Sequence, residues 1–183
     1  MGAPGGGPRG PTLAYVTSSF QIRPARTSDV KAIKALVAPL AELRILMAKE
    51  TVAYYEGLQE FRIAESEGEV IGCGALHVMW EDLAEIRTLA SAESWRGRGV
   101  GHALVEDLLS RAKDMGVDRV FCLTFEVDFF LKHGFEVMAD QSAVDPNVYS
   151  ELLRSHDEGV AEFLDLARVK PNTLGNTRMI RQL

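Results

Sequence analysis

Trp95-Arg96-Gly97-Arg98-Gly99-Val100-Gly101 is the stretch from which the rest of this chain can be read. Its three glycines and two arginines stand between an extended segment, Leu83–Ala90, and an amphipathic helix expected over Gly99–Met115. Glycines at such a turn let several peptide N–H groups face one concavity, and a helix N-terminus starts in the same place. That combination favours an anion, most often a phosphate. No Gly-Lys-Ser/Thr follows, so the turn is not a Walker loop. It also fails as a dinucleotide fingerprint, because GxGxxG spacing is absent and the preceding strand belongs to an antiparallel meander.

Working outward, the predicted helix carries Val100, Leu104, Leu108, Ala112 and Met115 on one face, and Gly116 ends it. Arg119–Thr124 reads as a short buried strand, parallel to Leu83–Ala90 because a helix joins the two. Upstream, Phe61–Ala64 and Val70–Met79 form a hairpin around Gly68, and Leu83–Ala90 adds a third antiparallel strand. Phe20–Arg23 is a first strand. Thr27-Ser28-Asp29 caps a helix with an apolar stripe of Val30, Ile33, Leu36 and Val37, which Pro39 ends or kinks. A short helix is expected over Thr51–Gly57. The segment Leu43–Lys49 reads equally as a loop over a ligand or as a connection packed on the core. Downstream come a short helix over Val127–Lys132, a strand over Phe135–Met138 and a helix within Val144–Arg154. Val160–Val169 alternates as a last long strand, and Asn172–Leu183 is a tail that returns at a sheet edge. The glycine- and proline-rich first eighteen residues read as a disordered tail, leaving one domain over 19–183.

A net charge of −6 argues against bulk attraction to nucleic acid. An anion must therefore be held by a local cluster such as Arg96 and Arg98. The two cysteines, Cys73 and Cys122, lie in apolar strands without metal spacing. The four histidines show no ligand pairing, so no metal is expected. No apolar run is long enough to span a membrane, and a cytoplasmic protein with reduced thiols is expected.

The element order and the Arg96-x-x-Gly99-x-Gly101 pattern resemble the GNAT (Gcn5-related) N-acetyltransferase superfamily over about Phe20–Met138. Phe129-Phe130-x-x-x-Gly134-Phe135 is similar to that family's aromatic-x-x-x-Gly-Phe segment. The resemblance implies a mixed α/β sheet with helices on both faces, an antiparallel N-terminal meander, and a parallel strand pair splayed around acetyl-CoA. It implies cofactor contacts at Arg96, Gly97, Arg98, Gly99, Val100 and Gly101 for the pyrophosphate. Leu89, Ala90 and Ser91 would pair with the pantetheine arm, and Phe130 would lie near the thiol. Ile71–Leu76, Ala84–Arg87, Phe121–Thr124 and the C-terminal tail further resemble N-acetylglutamate synthases, most closely short actinobacterial forms. That likeness implies L-glutamate as acceptor and a place in arginine biosynthesis. Inhibition by L-arginine and a homodimer are further expectations.

Within this reading, strand alternation puts Glu85, Arg87 and Leu89 on one face. Acetyl transfer to an amino acid needs its ammonium deprotonated, and Glu85, at the family's catalytic position, can accept that proton. Arg87 can hold a substrate carboxylate. The ordinary alternative for this pair is a solvent-facing ion pair. Thr124 reads equally as a hydroxyl near the leaving thiolate and as a strand cap. Lys170 and Arg178, with Asn172 and Asn176 between them in an acidic protein, are candidate anchors for the second carboxylate, against a solvated tail. The competing acceptors are glutamine, another amino acid or an amine. Protein lysines or N-termini would need an open groove, which 140–159 and the tail argue against. A CoA-binding regulatory module without turnover is the non-enzyme alternative.

Overall fold

The computed structural model describes residues 19–47, 49–138, 145–164 and 175–183. The proposed tail over 1–18, and Lys170 and Asn172, lie outside them. Within the described residues the chain forms a seven-stranded sheet in the order β1-β2-β3-β4-β5-β7-β6. Here β1 is Gln21–Pro24, β2 Phe61–Ser66, β3 Glu69–Trp80, β4 Leu83–Ser91, β5 Arg119–Thr124, β6 Glu136–Val137 and β7 Thr177–Gln182. The helices are α1 Val30–Glu42, α2 Thr51–Glu56, α3 Val100–Asp114, α4 Val127–Leu131, α5 Pro146–Leu152 and α6 Glu158–Phe163. Short 3-10 turns precede α1 and β2 and follow β4.

The antiparallel meander is as expected. The β2–β3 hairpin closes through Glu67 (φ 51°) and Gly68 (φ 82°), two left-handed residues as a tight hairpin turn requires. The helix faces are set by the residues they bury. Val105, Leu108, Leu109 and Ala112 of α3 pack on one side of the sheet, against Leu76, Ala84 and Ile86 and beside Phe130 and Phe135. Ile33 and Val37 of α1 cover the other side, over Ile63, Cys73, Ala75 and Ala90. Leu152 of α5 and Val160 and Phe163 of α6 close that second side over Leu83 and Phe121.

Four expectations need correction. Pro39 does not end α1, which runs to Glu42; proline in the last turn removes one N–H, and Leu43 still donates to the Pro39 carbonyl. The start of the expected strand Val160–Val169 is helical instead. Val160, Ala161, Phe163 and Leu164 are all buried, a helical spacing that overrides the apparent alternation. The C-terminal strand is not at an edge: β7 lies between β5 and β6, antiparallel to both. Fourth, alternation in β4 breaks. Ala75 is opposite Arg87 while Cys73 is opposite Ala90, so β4 carries one extra residue, a bulge with Thr88 at φ 57°. The Cys73 thiol donates to the Thr88 carbonyl (3.6 Å) inside it. The bulge swaps parity, so Leu89 turns to the α3 side while Glu85 and Arg87 face α1 and α6.

Candidate active site

The β4–β5 ladder is parallel and stops early: it pairs Leu83–Glu85 with Arg119–Phe121 and no further. Beyond Glu85 the two strands part, and the bulge at Thr88 turns the end of β4 away. That end runs into the glycine turn. Gly97 (φ 73°) and Gly99 (φ 83°) occupy the left-handed region that glycine alone adopts at little cost. Gly99 is the N-cap of α3 and offers no side-chain cap. Ala103 donates to the Gly99 carbonyl, so the helix proper begins there and its first-turn N–H groups face outward. Gly72 lets this N-terminus sit tight on the sheet: a Cβ there would be 2.7 Å from Val100 Cγ1 and 3.2 Å from the Ala90 carbonyl oxygen. Arg96 and Arg98 are exposed beside the turn, and the Arg98 guanidinium lies 5.1 Å from the Trp95 ring centroid. Backbone donors and the helix dipole thus face outward beside two exposed cations at the mouth of a strand gap, an arrangement that suits an anion. Such a gap accepts an amide-bearing arm, because the parted strands leave backbone groups unpaired. The residues present fit a phosphate-headed, amide-containing cofactor.

On the opposite side of β4 lies a charged cluster. Glu85 is 5% exposed, and its Oε2 is buried without a hydrogen-bond partner. Burial pushes its pKa from 4.5 up to about 7; Asp157 adds to the rise, while Arg87, His77 and Lys49 oppose it. Arg87 Nη1 is 3.6 Å from Glu85 Oε2 and donates to Asp157 Oδ2 (2.8 Å); Nη2 donates to Glu60 Oε2 (3.0 Å). His77, directly across the ladder from Glu85, places Nδ1 2.7 Å from Glu60 Oε1 and Nε2 3.6 Å from Asp157 Oδ2. Glu60 and Asp157 both stay below the usual carboxylate range. Burial works against this in each, and hydrogen bonds and charge from Arg87 and His77 outweigh it. Lys49 reaches the same cluster: burial and then Arg87 lower its pKa, against Glu85, Asp157 and Glu60. The segment Leu43–Lys49 shows both characters, with Leu46 packed on the α1-side core and Lys49 within electrostatic reach of the cluster.

The expected residues divide accordingly. Glu85 and Arg87 are brought together, and Ala90, Ser91 and the turn Arg96–Gly101 follow one another from the end of β4 to the start of α3. Leu89 contributes backbone there, its side chain being in the α3 core. Phe130 lies inward. It is a core residue, edge-on to Phe135 at 5.1 Å, because the short α4 turns it inward. Phe129 takes the place beside the turn, packed on His102 and 3.4 Å from where a Gly101 Cβ would stand. Thr124 is buried at the end of β5, and its hydroxyl oxygen accepts the Glu126 N–H (2.9 Å), so the capping reading holds; its own proton remains available to a ligand. Arg178 donates to the Phe163 carbonyl and so braces the end of α6. Both thiols are buried; burial raises Cys73 to about 12 and Cys122 well above its usual value, which suits packing and not nucleophilic work. Among the described residues no cluster is suited to a metal, and no helix is long and apolar enough to cross a membrane.

Sequence reading missed Glu60, His77 and Asp157. One signal was present for His77: it breaks an otherwise apolar strand at the parity of Cys73 and Ala75, the site-facing side. Glu60 and Asp157 lie in connections, where no periodicity reports direction.

The acetyltransferase (GNAT) family matches over residues 39–135. The amino-acid acetyltransferase of Mycobacterium tuberculosis (strain ATCC 25618 / H37Rv) is 53% identical over 162 residues, which is 87% of this chain and 92% of that protein. The crystal structure of Rv2747 from Mycobacterium tuberculosis, in complex with CoA and NLQ, superposes with a TM-score of 0.85 at 52% identity, covering 89% of this chain and 99% of that one. N-acetylglutamate synthase from Neisseria gonorrhoeae, complexed with coenzyme A and N-acetyl-glutamate, shares the fold at a TM-score of 0.73 and 24% identity. The match covers 90% of this chain but 35% of that synthase.

Proposed function

This chain belongs to the acetyltransferase (GNAT) family, and we propose that it transfers the acetyl group of acetyl-CoA to the α-amino group of L-glutamate. The observation that carries the reading is one strand with two ends of complementary chemistry. The C-terminal end of β4 opens on the anion seat, and its middle presents a buried carboxylate whose pKa of about 7 suits a base near neutral pH. The 53% identity to an amino-acid acetyltransferase, over nearly the whole of that protein, supports an amino acid as acceptor.

In this reading the backbone N–H groups of Gly97–Gly101 and the first turn of α3 hold the pyrophosphate, with Arg96 and Arg98 adding charge. Backbone groups of Leu89, Ala90 and Ser91 align the pantetheine arm in the gap beside β5. The thioester then points back along β4 towards Arg87 and Glu85. Glu85 takes one proton from the acceptor's ammonium, directly or through water, and the freed amine attacks the thioester carbonyl. A peptide N–H near Leu89 stabilises the oxyanion that forms. Collapse expels the CoA thiolate, which takes up the second proton of the attacking nitrogen, directly or by way of the Thr124 hydroxyl, and leaves as the free thiol. Arg87 and Lys49 supply positive charge for the acceptor's carboxylates, with Lys170 and Arg178 as further anchors. Support for Lys49 is that its charge couples to Arg87, Glu85, Asp157 and Glu60.

The test is thiol release from acetyl-CoA across a panel of amino acids and amines, with the product identified by mass. L-Glutamate giving N-acetyl-L-glutamate and free CoA supports the reading. A better acceptor, glutamine included, changes the substrate and keeps the chemistry. Acetyl-CoA protecting the fold from heat, with no thiol release for any acceptor, would identify a regulatory module instead.

A further inference from the structure

The guanidinium of Arg87 already carries two carboxylates of the protein itself. Glu60 Oε2 accepts from Nη2 at 3.0 Å and Asp157 Oδ2 from Nη1 at 2.8 Å. These two partners are held differently. Glu60 is fixed from several sides: Arg111 donates to the Gln59 and Glu60 carbonyls, and His77 Nδ1 meets Glu60 Oε1 at 2.7 Å. Asp157 lies in the connection between α5 and α6 and divides its carboxylate between two tasks. Oδ1 accepts the Val160 N–H (3.1 Å), capping α6, and Oδ2 faces Arg87, with His77 Nε2 3.6 Å away.

The same turn covers the base. Gly159 approaches Glu85 so closely that a Cβ on it would fall 2.1 Å from Oε2. That oxygen is buried and has no hydrogen-bond partner, and the Nε of Arg87 is likewise buried and unpartnered. A buried acceptor of this kind is costly unless something arrives to satisfy it. An ammonium is the group that would.

We propose that Asp157 is a specificity-determining residue that keeps the carboxylate position on Arg87 filled until an acceptor's carboxylate replaces it. The proposal rests on the reading that Arg87 receives the acceptor. When a substrate carboxylate displaces Asp157 Oδ2, the turn 157–159 moves off Glu85, and the acceptor's ammonium meets the freed Oε2. An amine without a carboxylate beside it has nothing to exchange for Asp157, so the base stays covered. Recognition of the carboxylate and exposure of the base become one event. Gly159 fits this role, because any side chain there would overlap the carboxylate it covers.

The experiment compares the wild-type enzyme with Asp157→Asn, using L-glutamate and its α-carboxamide as paired acceptors. Asparagine keeps the cap on Val160 and removes the competing charge. The KM of the α-carboxamide should fall by about fivefold, the scale of one partly exposed ion pair, while that of L-glutamate, which already exchanges its own carboxylate for Asp157, moves less. The preference for glutamate over its α-carboxamide should narrow by a similar factor. The KM for acetyl-CoA serves as the internal reference, since a merely structural effect moves it as well. An acceptor KM that rises, or a preference that does not change, overturns the proposal and makes Asp157 an orienting partner of Arg87. If circular dichroism shows that Asp157→Asn does not fold, Asp157→Ser, which also caps, replaces it with the same outcomes. Wild-type enzyme that turns over no amino acid refutes the proposed function itself. Turnover without the shift in selectivity refutes only the role of Asp157.

Discussion

Replacing Glu85 by glutamine should make the protein more stable, and by an amount that depends on pH. Glu85 has a folded pKa of about 7 against an ordinary value of 4.5, mainly through burial. The folded state therefore binds this proton more tightly than the unfolded chain does. Below pH 4.5 both states are protonated and the carboxyl costs nothing. As pH rises through about 7 the folded state must carry a buried anion, and that stability is lost. Since a tenfold difference in proton affinity is worth about 1.4 kcal/mol, the loss reaches about 3 kcal/mol on the alkaline plateau. Glutamine is neutral throughout, so Glu85→Gln escapes it. Glu60 and Asp157, whose pKa values are lowered, tilt stability in the opposite direction, but they do so in both proteins and cancel in the difference. Urea unfolding of the two proteins at pH 4.5, 6 and 8 measures the gap. It should be smallest at pH 4.5 and widen by about 3 kcal/mol by pH 8. A gap that does not change with pH, or a variant less stable at pH 8, would refute a desolvated carboxyl at this position.

Two further outcomes concern the anion seat. Gly72→Ala should cost about 1–3 kcal/mol by overpacking, because its Cβ meets Val100 Cγ1 and the Ala90 backbone. It should also raise the KM for acetyl-CoA by shifting the start of α3, and thermal melting with acetyl-CoA titration reads both effects. Gly99→Ala meets no neighbour but must hold φ near 83°. It should cost about 1–2 kcal/mol of backbone strain and weaken acetyl-CoA more than acetyl-pantetheine, which lacks the phosphates; equal weakening of both contradicts a phosphate seat.

Local pattern carried much of the fold. The glycine turn, the helix after it and the meander before it repeat at periods that neighbouring residues set by themselves, and all lie where they were expected. Three departures share a cause, which is that tertiary packing decided them. Thr88 is a β-branched residue at positive φ, an outlier no propensity suggests, and it reverses the parity of Leu89. The stretch after Asp157 alternates well enough to resemble a strand until its buried residues are seen at helical spacing. Strand β7 enters between β5 and β6 through pairings far apart in sequence. The site was legible in the same uneven way. Glu85 and Arg87 sit two apart on one strand and declare themselves. Lys49, Glu60, His77 and Asp157 come from four other segments, and only the closed fold brings them to Arg87.

The most direct test of the account is the pH dependence of kcat/KM for L-glutamate at saturating acetyl-CoA, for wild-type enzyme and Glu85→Gln. The wild-type rate should rise with pH to a plateau with a midpoint near 7, the pKa at which Glu85 loses its proton before L-glutamate binds. At pH 5 it should stand at about one hundredth of the plateau, and Glu85→Gln should be slower by about 10²–10⁴-fold with no such limb. Full activity in Glu85→Gln, with the wild-type profile intact, would contradict Glu85 as the group that takes the proton.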